Sequence, residues 1–157
     1  MAIDHFLTAS APLAAADAVA ALLMLDDGRY LVQLRDQLPQ IFFPGFWGLF
    51  GGAIEPGEDP ESALRRELVE ELALEPRALR YFTRFDFDLA PLGDKKVFRI
   101  IFEVPVGADE VANLVLGEGA GMAALSAKDL LLNHRVAPYD EFAVWLHFHR
   151  ARFGRGT

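Results

Sequence analysis

The chain has 157 residues, the size of one ordinary domain, with 52% hydrophobic residues, 24% charged residues and a formal charge of −8. That much apolar material excludes wholesale disorder. The acidic balance argues against a nucleic-acid polymer or an anionic membrane as partner, yet permits a small polyanion reached through a bound cation. With no cysteine there is no disulfide framework, no thiolate-bound zinc and no thiol nucleophile, and a reducing cytoplasm fits.

No repeat or low-complexity linker divides the chain, so one domain over residues 1–157 is expected, with a core over about 17–150 and a lead-in over 1–16. The Ala- and Leu-rich start has no basic residue before Arg29 and is interrupted by Asp4 and Asp17, so a signal peptide is not expected. The apolar run Ala18 to Leu25 is too short to span a bilayer and reads as a buried strand. Asp26-Asp27-Gly28 supplies a hairpin turn, and Arg29 to Arg35 alternates as the partner strand. Residues 36–46 form a loop, and Trp47 to Phe50 is a short strand running into Gly51-Gly52. Asp59 caps a helix opened by Pro60, with Ala63, Leu64, Leu68 and Leu72 as its apolar stripe and Pro76 beyond its end. Two long strands follow, Leu79 to Asp88 and Lys95 to Val104, joined by a turn at Pro91-Leu92-Gly93-Asp94. A Gly-rich loop carries Glu118, a strand covers Met122 to Leu125, and helices cover Ala127 to Leu132 and Pro138 to about Arg150. This order predicts an α/β fold, a mixed sheet between layers of helices.

The segment Gly52 to Leu74 carries the chemistry. Glu67, Glu70 and Glu71 stand three and four apart, on adjoining rows of one helix. Like charges so close destabilise an isolated helix, so Arg65, Arg66 or bound cations are expected to compensate. Clustered hard oxygens suit Mg²⁺ or Mn²⁺. A solvated helix face accounts for such a triplet alone, but not for Gly52, Glu58 and Arg66 at fixed offsets as well.

The joint pattern resembles the Nudix box, G-x5-E-x7-R-E-U-x-E-E-x-G-U, where U is a bulky aliphatic residue. Glu58, Arg66, Glu67, Glu70 and Glu71 match every charged position, and Leu68 and Leu74 match aliphatic ones. Ala73 replaces the second Gly, which normally ends the helix in a left-handed conformation that costs a side-chain-bearing residue about 1–2 kcal/mol. The resemblance implies an α/β/α sandwich and a metal-dependent hydrolase of diphosphate linkages in nucleoside diphosphate derivatives. It implies metal ligands at Glu67, Glu70, Glu71 and the Gly52 carbonyl, and an Arg66–Glu58 pair holding loop to helix. Glu70 and Glu118 are the two candidates for general base; some MutT-like members have a similar Glu-Gly pair near the position of Glu118.

Substrate candidates are Arg35 at the end of the second strand, Arg84 and Arg99 within strands, and Phe43 in the aromatic loop Phe42, Phe43, Phe46. Asn133-His134 reads as a cap or turn, and His147 and His149 as surface residues. Nucleoside triphosphates, nucleotide sugars including ADP-ribose, and dinucleotides all remain open as substrates. A nucleotide sensor that has lost catalysis is the alternative, and isoprenoid isomerisation on the same fold would need a cysteine. Homodimers are common in the family, and the apolar content permits one. Residues 55–75 hold eight acids and two bases, so most of the charge of −8 belongs to this one segment.

Overall fold

A computed structural model describes residues 14–154. Most of the expected lead-in, residues 1–13, lies outside the described residues. The sheet is mixed. Its order is β3 (Trp47–Gly48), β2 (Tyr30–Leu34), β1 (Ala18–Leu25), β6 (Lys96–Val106), β5 (Arg80–Asp88); β4 (Phe50–Ala53) also pairs with β1, and β7 (Gly121–Leu125) with β2. β1 and β6 run parallel, while β1 pairs antiparallel with β2 and β4.

β1 is apolar throughout because both of its faces are covered. Val19, Ala21 and Leu23 meet Ala63, Leu64, Leu68 and Leu72 of α1 (Pro60–Leu72). Ala20 and Leu22 face the opposite layer, where Ala127 and Leu130 of α3 (Ala127–Asn133) join Ala143 and Val144 of α4 (Pro138–Phe148). Each fully buried Leu of these layers contributes about 1.5–3 kcal/mol. The result is the expected α/β/α sandwich.

α1 starts as its sequence dictates. The Asp59 carboxylate accepts from the Ser62 N–H at 3.0 Å, and Pro60 takes the first helical position. The helix leaves through Ala73 in the left-handed conformation (φ 54°, ψ 34°). Ala73 N–H donates to the Val69 carbonyl and Leu74 N–H to the Leu68 carbonyl, so the exit keeps its hydrogen bonds without the glycine.

Four local expectations change. The strand expected over Trp47 to Phe50 is two strands: β3 pairs with β2 and β4 with β1, and the chain changes neighbour at Leu49. A short helix, α2 (Ala108–Val111), stands in what reads as loop. β6 continues past Val104 through Pro105; the last β5 pairing is Arg80 with Glu103, so Pro105 has a neighbour only on the β1 side. His147 is buried, 2% exposed, and not at the surface. Its ring nitrogens lie 2.6 Å from the Tyr30 hydroxyl and 2.8 Å from a Glu103 carboxylate oxygen, and its ring meets Phe82 edge-on. It therefore ties α4 to β2 and β6, work that a helical-wheel reading does not reveal.

Two outcomes follow. Ala73→Gly removes the left-handed penalty and should stabilise the fold by about 1 kcal/mol, offset slightly by the flexibility of Gly in the unfolded chain; a thermal melt should rise by about 2–4 °C. Burial holds the His147 imidazole below its ordinary pKa, against the raising effect of Glu103 and with Arg150 and Arg80 also lowering it. The unfolded chain then takes up the proton first on acidification, so stability is lost as pH falls through about 6.5 towards the folded value. The melting temperature of the wild type should therefore drop further between about pH 7 and about pH 5 than that of His147→Gln.

Candidate active site

Glycines let β4 and α1 approach closely. Gly51 has φ 144°, and a Cβ there would lie 2.1 Å from the Val19 carbonyl oxygen. At Gly52 a Cβ would lie 2.5 Å from Glu67 Oε1, so the Glu67 carboxylate rests directly on this backbone. Gly51 N–H donates to Glu71 Oε2 at 2.9 Å. Glu71 is only 4% exposed, and burial pushes its carboxyl up to about 8. The Gly51 and Gln33 hydrogen bonds oppose that shift, while the charges of Glu67 and Glu118 add to it. Burial also raises Glu67, again with Glu118 contributing.

The loop after α2 explains how Glu118 comes here. Val115 N–H donates to the Leu72 carbonyl at 3.0 Å, and Gly117 N–H to the Glu71 carbonyl at 2.7 Å. The loop thus satisfies carbonyls at the open C-terminal end of α1. A Cβ on Gly117 would lie 2.4 Å from the Glu70 carbonyl oxygen, which accounts for glycine at that position. Glu118 is exposed at the rim.

Arg66 is the cation of this group. Its guanidinium binds both Glu58 oxygens at 2.9 Å, donates to the Ala53 carbonyl at 3.0 Å and to Glu67 Oε1 at 2.9 Å, and lies 3.6 Å from Glu70. The Arg66–Glu58 fork ties loop to helix as expected, and Arg66 holds Glu58 below the usual carboxylate range. One guanidinium faces Glu58, Glu67 and Glu70, while Glu71 and Glu118 make no ion pair with it. This excess of hard oxygen donors around a buried carboxylate fits a divalent cation. No three acidic or imidazole groups of the described residues close on a single point; Arg66 lies 2.9 Å from Glu67 and 3.6 Å from Glu70.

The substrate candidates divide. Arg99, Phe43 and Arg35 gather around Tyr139, at the start of α4. Arg99 lies 4.6 Å from the centre of its ring, Phe43 packs on it edge-on at 5.6 Å, and Arg35 brings its positive charge to bear on the phenol, whose pKa burial raises. Arg35 Nε donates to the Phe42 carbonyl at 2.9 Å. Arg99 also pairs with the fully buried Asp140 at 2.8 Å. Arg84 stands apart on β5, over Phe98 and paired with Asp86 at 2.8 Å. Asn133, the last residue of α3, donates to the Asp129 side chain at 2.7 Å, a pairing within the helix in place of the expected cap or turn.

Sequence reasoning missed Gln33, Tyr139 and Asp140. Gln33 helps to hold the Glu71 pKa down and donates to the Leu49 carbonyl at 3.1 Å; Asp140 accepts from the Leu49 N–H at 2.9 Å. The Leu49 backbone therefore links Gln33, beside the acidic group, to Asp140 and the Arg99–Tyr139 group on the other face of the sheet. A polar residue in an inward alternation of a strand is the one sequence signal that marks Gln33.

The NUDIX domain model matches residues 15–146, and the chain belongs to that family. Nucleoside triphosphatase NudI of Escherichia coli O1:K1 / APEC is 51% identical over 51 residues, 32% of this chain. The chain covers 35% of the length of that relative. Among solved structures, the MutT protein from Methanosarcina mazei Go1 aligns with a TM-score of 0.71 at 24% identity, over 92% of this chain and 100% of the other. The NUDIX domain of Shewanella oneidensis NrtR, complexed with ADP ribose, aligns with a TM-score of 0.65 at 18% identity, over 96% and 99%. These two likenesses establish the shared fold. Among the described residues no helix is long and apolar enough to cross a membrane.

Glu71→Gln keeps an oxygen for the Gly51 N–H and removes a group whose ionisation burial and two neighbouring acids disfavour, so that folding no longer carries the cost of its proton uptake. In chelator at neutral pH it should raise the melting temperature by a few degrees, at about 2–4 °C per kcal/mol. A lower melting temperature than wild type would show that the carboxylate is not a repulsive centre.

Proposed function

We propose that this chain is a hydrolase of the diphosphate linkage in nucleoside di- and triphosphate derivatives, with Mg²⁺ or Mn²⁺ held by Glu67, Glu70, Glu71 and the Gly52 carbonyl. The observation that carries this reading is the placing of Glu67 and Glu71 against the Gly51-Gly52 backbone, the Glu67 carboxylate resting on Gly52 and the Glu71 carboxyl accepting from the Gly51 N–H. Bound there, a divalent cation neutralises the diphosphate and favours ionisation of water. The residues of the chain do the rest. Gly51 and Gln33 hold Glu71 in place, and Arg66 sets the position of Glu67. Glu70 and Glu118 stand at the solvent rim, where either can accept the proton of an attacking water. The basic and aromatic group of Arg35, Arg99, Phe43 and Tyr139 is the candidate for holding the rest of the nucleotide. Arg84, outside both groups, is left out of this reading. Among substrate classes, the local likeness to a nucleoside triphosphatase favours nucleoside triphosphates over nucleotide sugars and dinucleotides.

The test is phosphate or pyrophosphate release from a panel of these nucleotides, with Mg²⁺ and with chelator. Metal-dependent turnover is expected, highest on nucleoside triphosphates. The general base should be the residue whose glutamine variant loses about 10²–10⁴-fold in kcat; Glu70→Gln and Glu118→Gln, measured side by side, assign it. Glu71→Gln should lose turnover together with any Mg²⁺-induced rise in melting temperature. Tight binding without turnover of any nucleotide would overturn the hydrolase in favour of a sensing domain.

A further inference from the structure

β5 closes one end of the sheet. Among the described residues it pairs with β6 alone, so its other edge offers a row of backbone donors and acceptors. Its two faces differ. On the α1 side Arg84 and Asp86 are both exposed, their side chains 44% and 67% accessible. On the α4 side Phe85 contacts Phe87 and Phe142, and Phe142 stacks on Trp145. Phe142, Trp145 and Phe153 are exposed, so an aromatic band flanks the open edge.

We infer that this edge pairs antiparallel with β5 of a second copy of the chain, in the register that sets Phe85 opposite its own copy. The charge pattern selects both the partner and the register. Two copies of one strand related by a two-fold axis keep each face on its own side only when some residue faces itself. Centring on Arg84 opposes two guanidinium groups, and centring on Asp86 opposes two carboxylates. Centring on Phe87 sets Asp86 against Asp88. Centring on Thr83 puts the irregularity between Tyr81 and Thr83 at the middle of the ladder. Centring on Phe85 sets Arg84 opposite Asp86 twice and Thr83 opposite Phe87 twice. Directly opposed opposite charges favour a strand pair and like charges disfavour it. A strand edge alone is a narrow contact. The aromatic band of α4, on the same face as Phe85, widens it. This inference does not depend on the acidic site or its chemistry.

Sedimentation velocity of the full chain over the micromolar range tests it, with folding checked by circular dichroism. The wild type should be a dimer. Arg84→Asp and Asp86→Arg should each be monomeric, since each makes the central charges alike. Mixed in equal amounts, the two should form a heterodimer, because acidic edge then meets basic edge. The double exchange Arg84→Asp/Asp86→Arg restores alternation and should dimerise, which keeps the test decisive where a single variant fails to fold. A monomeric wild type, single variants as dimeric as the wild type, or a mixture or double exchange that stays monomeric would each overturn the proposal.

Discussion

A carboxyl group nearly sealed from water is the constraint around which the acidic half of this fold is arranged. Glu71 accepts from Gly51 and lies under the charges of Glu67 and Glu118. An isolated ionised carboxyl at that depth is costly unless it is hydrogen-bonded and compensated. The surrounding structure answers the first requirement: β4 carries two glycines so that its backbone can reach the helix, and the Gly51 N–H donates to the carboxyl. It answers the second only in part, since Arg66 is committed to Glu58, Glu67 and the Ala53 carbonyl. The charge imbalance is thus built in by the backbone, and the loop through Gly117 increases it by bringing Glu118 alongside.

A single residue connects this imbalance to the other side of the sheet. At Leu49 the chain leaves β2 as neighbour and joins β1, and its carbonyl and N–H are taken by Gln33 and Asp140. Asp140 is fully buried and fixes Arg99 against Tyr139. A shift of β4 under Glu71 therefore cannot leave Arg99 unaffected without breaking a buried charge-assisted bond, which costs more than an exposed one. Acidic and basic groups on opposite faces are held to a common frame by side chains from β2 and α4.

How much of this was legible depended on whether the signal was local. The limits of α1 are written in Asp59, Pro60 and the stripe ending at Leu72, because capping and periodicity act over a few residues. The fixed spacing of Gly52, Glu58, Arg66 and the three glutamates carries the family, and the Arg66–Glu58 pair follows from it. The residues that escaped are polar side chains whose roles are set by distant partners. Gln33 reads as one half of an alternation, Asp140 as an acid in a first helical turn, and His147 as one exposed imidazole of a pair. Their burial depends on contacts 16, 91 and 117 residues away. Gathering Arg35, Arg99 and Phe43 around Tyr139 likewise takes the crossing of α4 over the sheet, which no window of sequence contains. Arg84 shows the converse: a basic residue in a strand carries no label saying which edge or face that strand will occupy.

The acidic composition changes meaning once it is mapped. A charge of −8 spread over a surface would repel a diphosphate from every side. Most of it lies instead in residues 55–75, where Glu67 and Glu71 are folded against Gly51-Gly52 and Arg66 pairs with Glu58 and Glu67. Carboxylates at that spacing repel one another as well as an anion. A cation that relieves the repulsion stabilises the fold and reverses the sign of the local field in the same event. On the proposed function, affinity for phosphate would come and go with the ion, and an acidic protein would be selective for small polyanions while remaining repulsive to long ones.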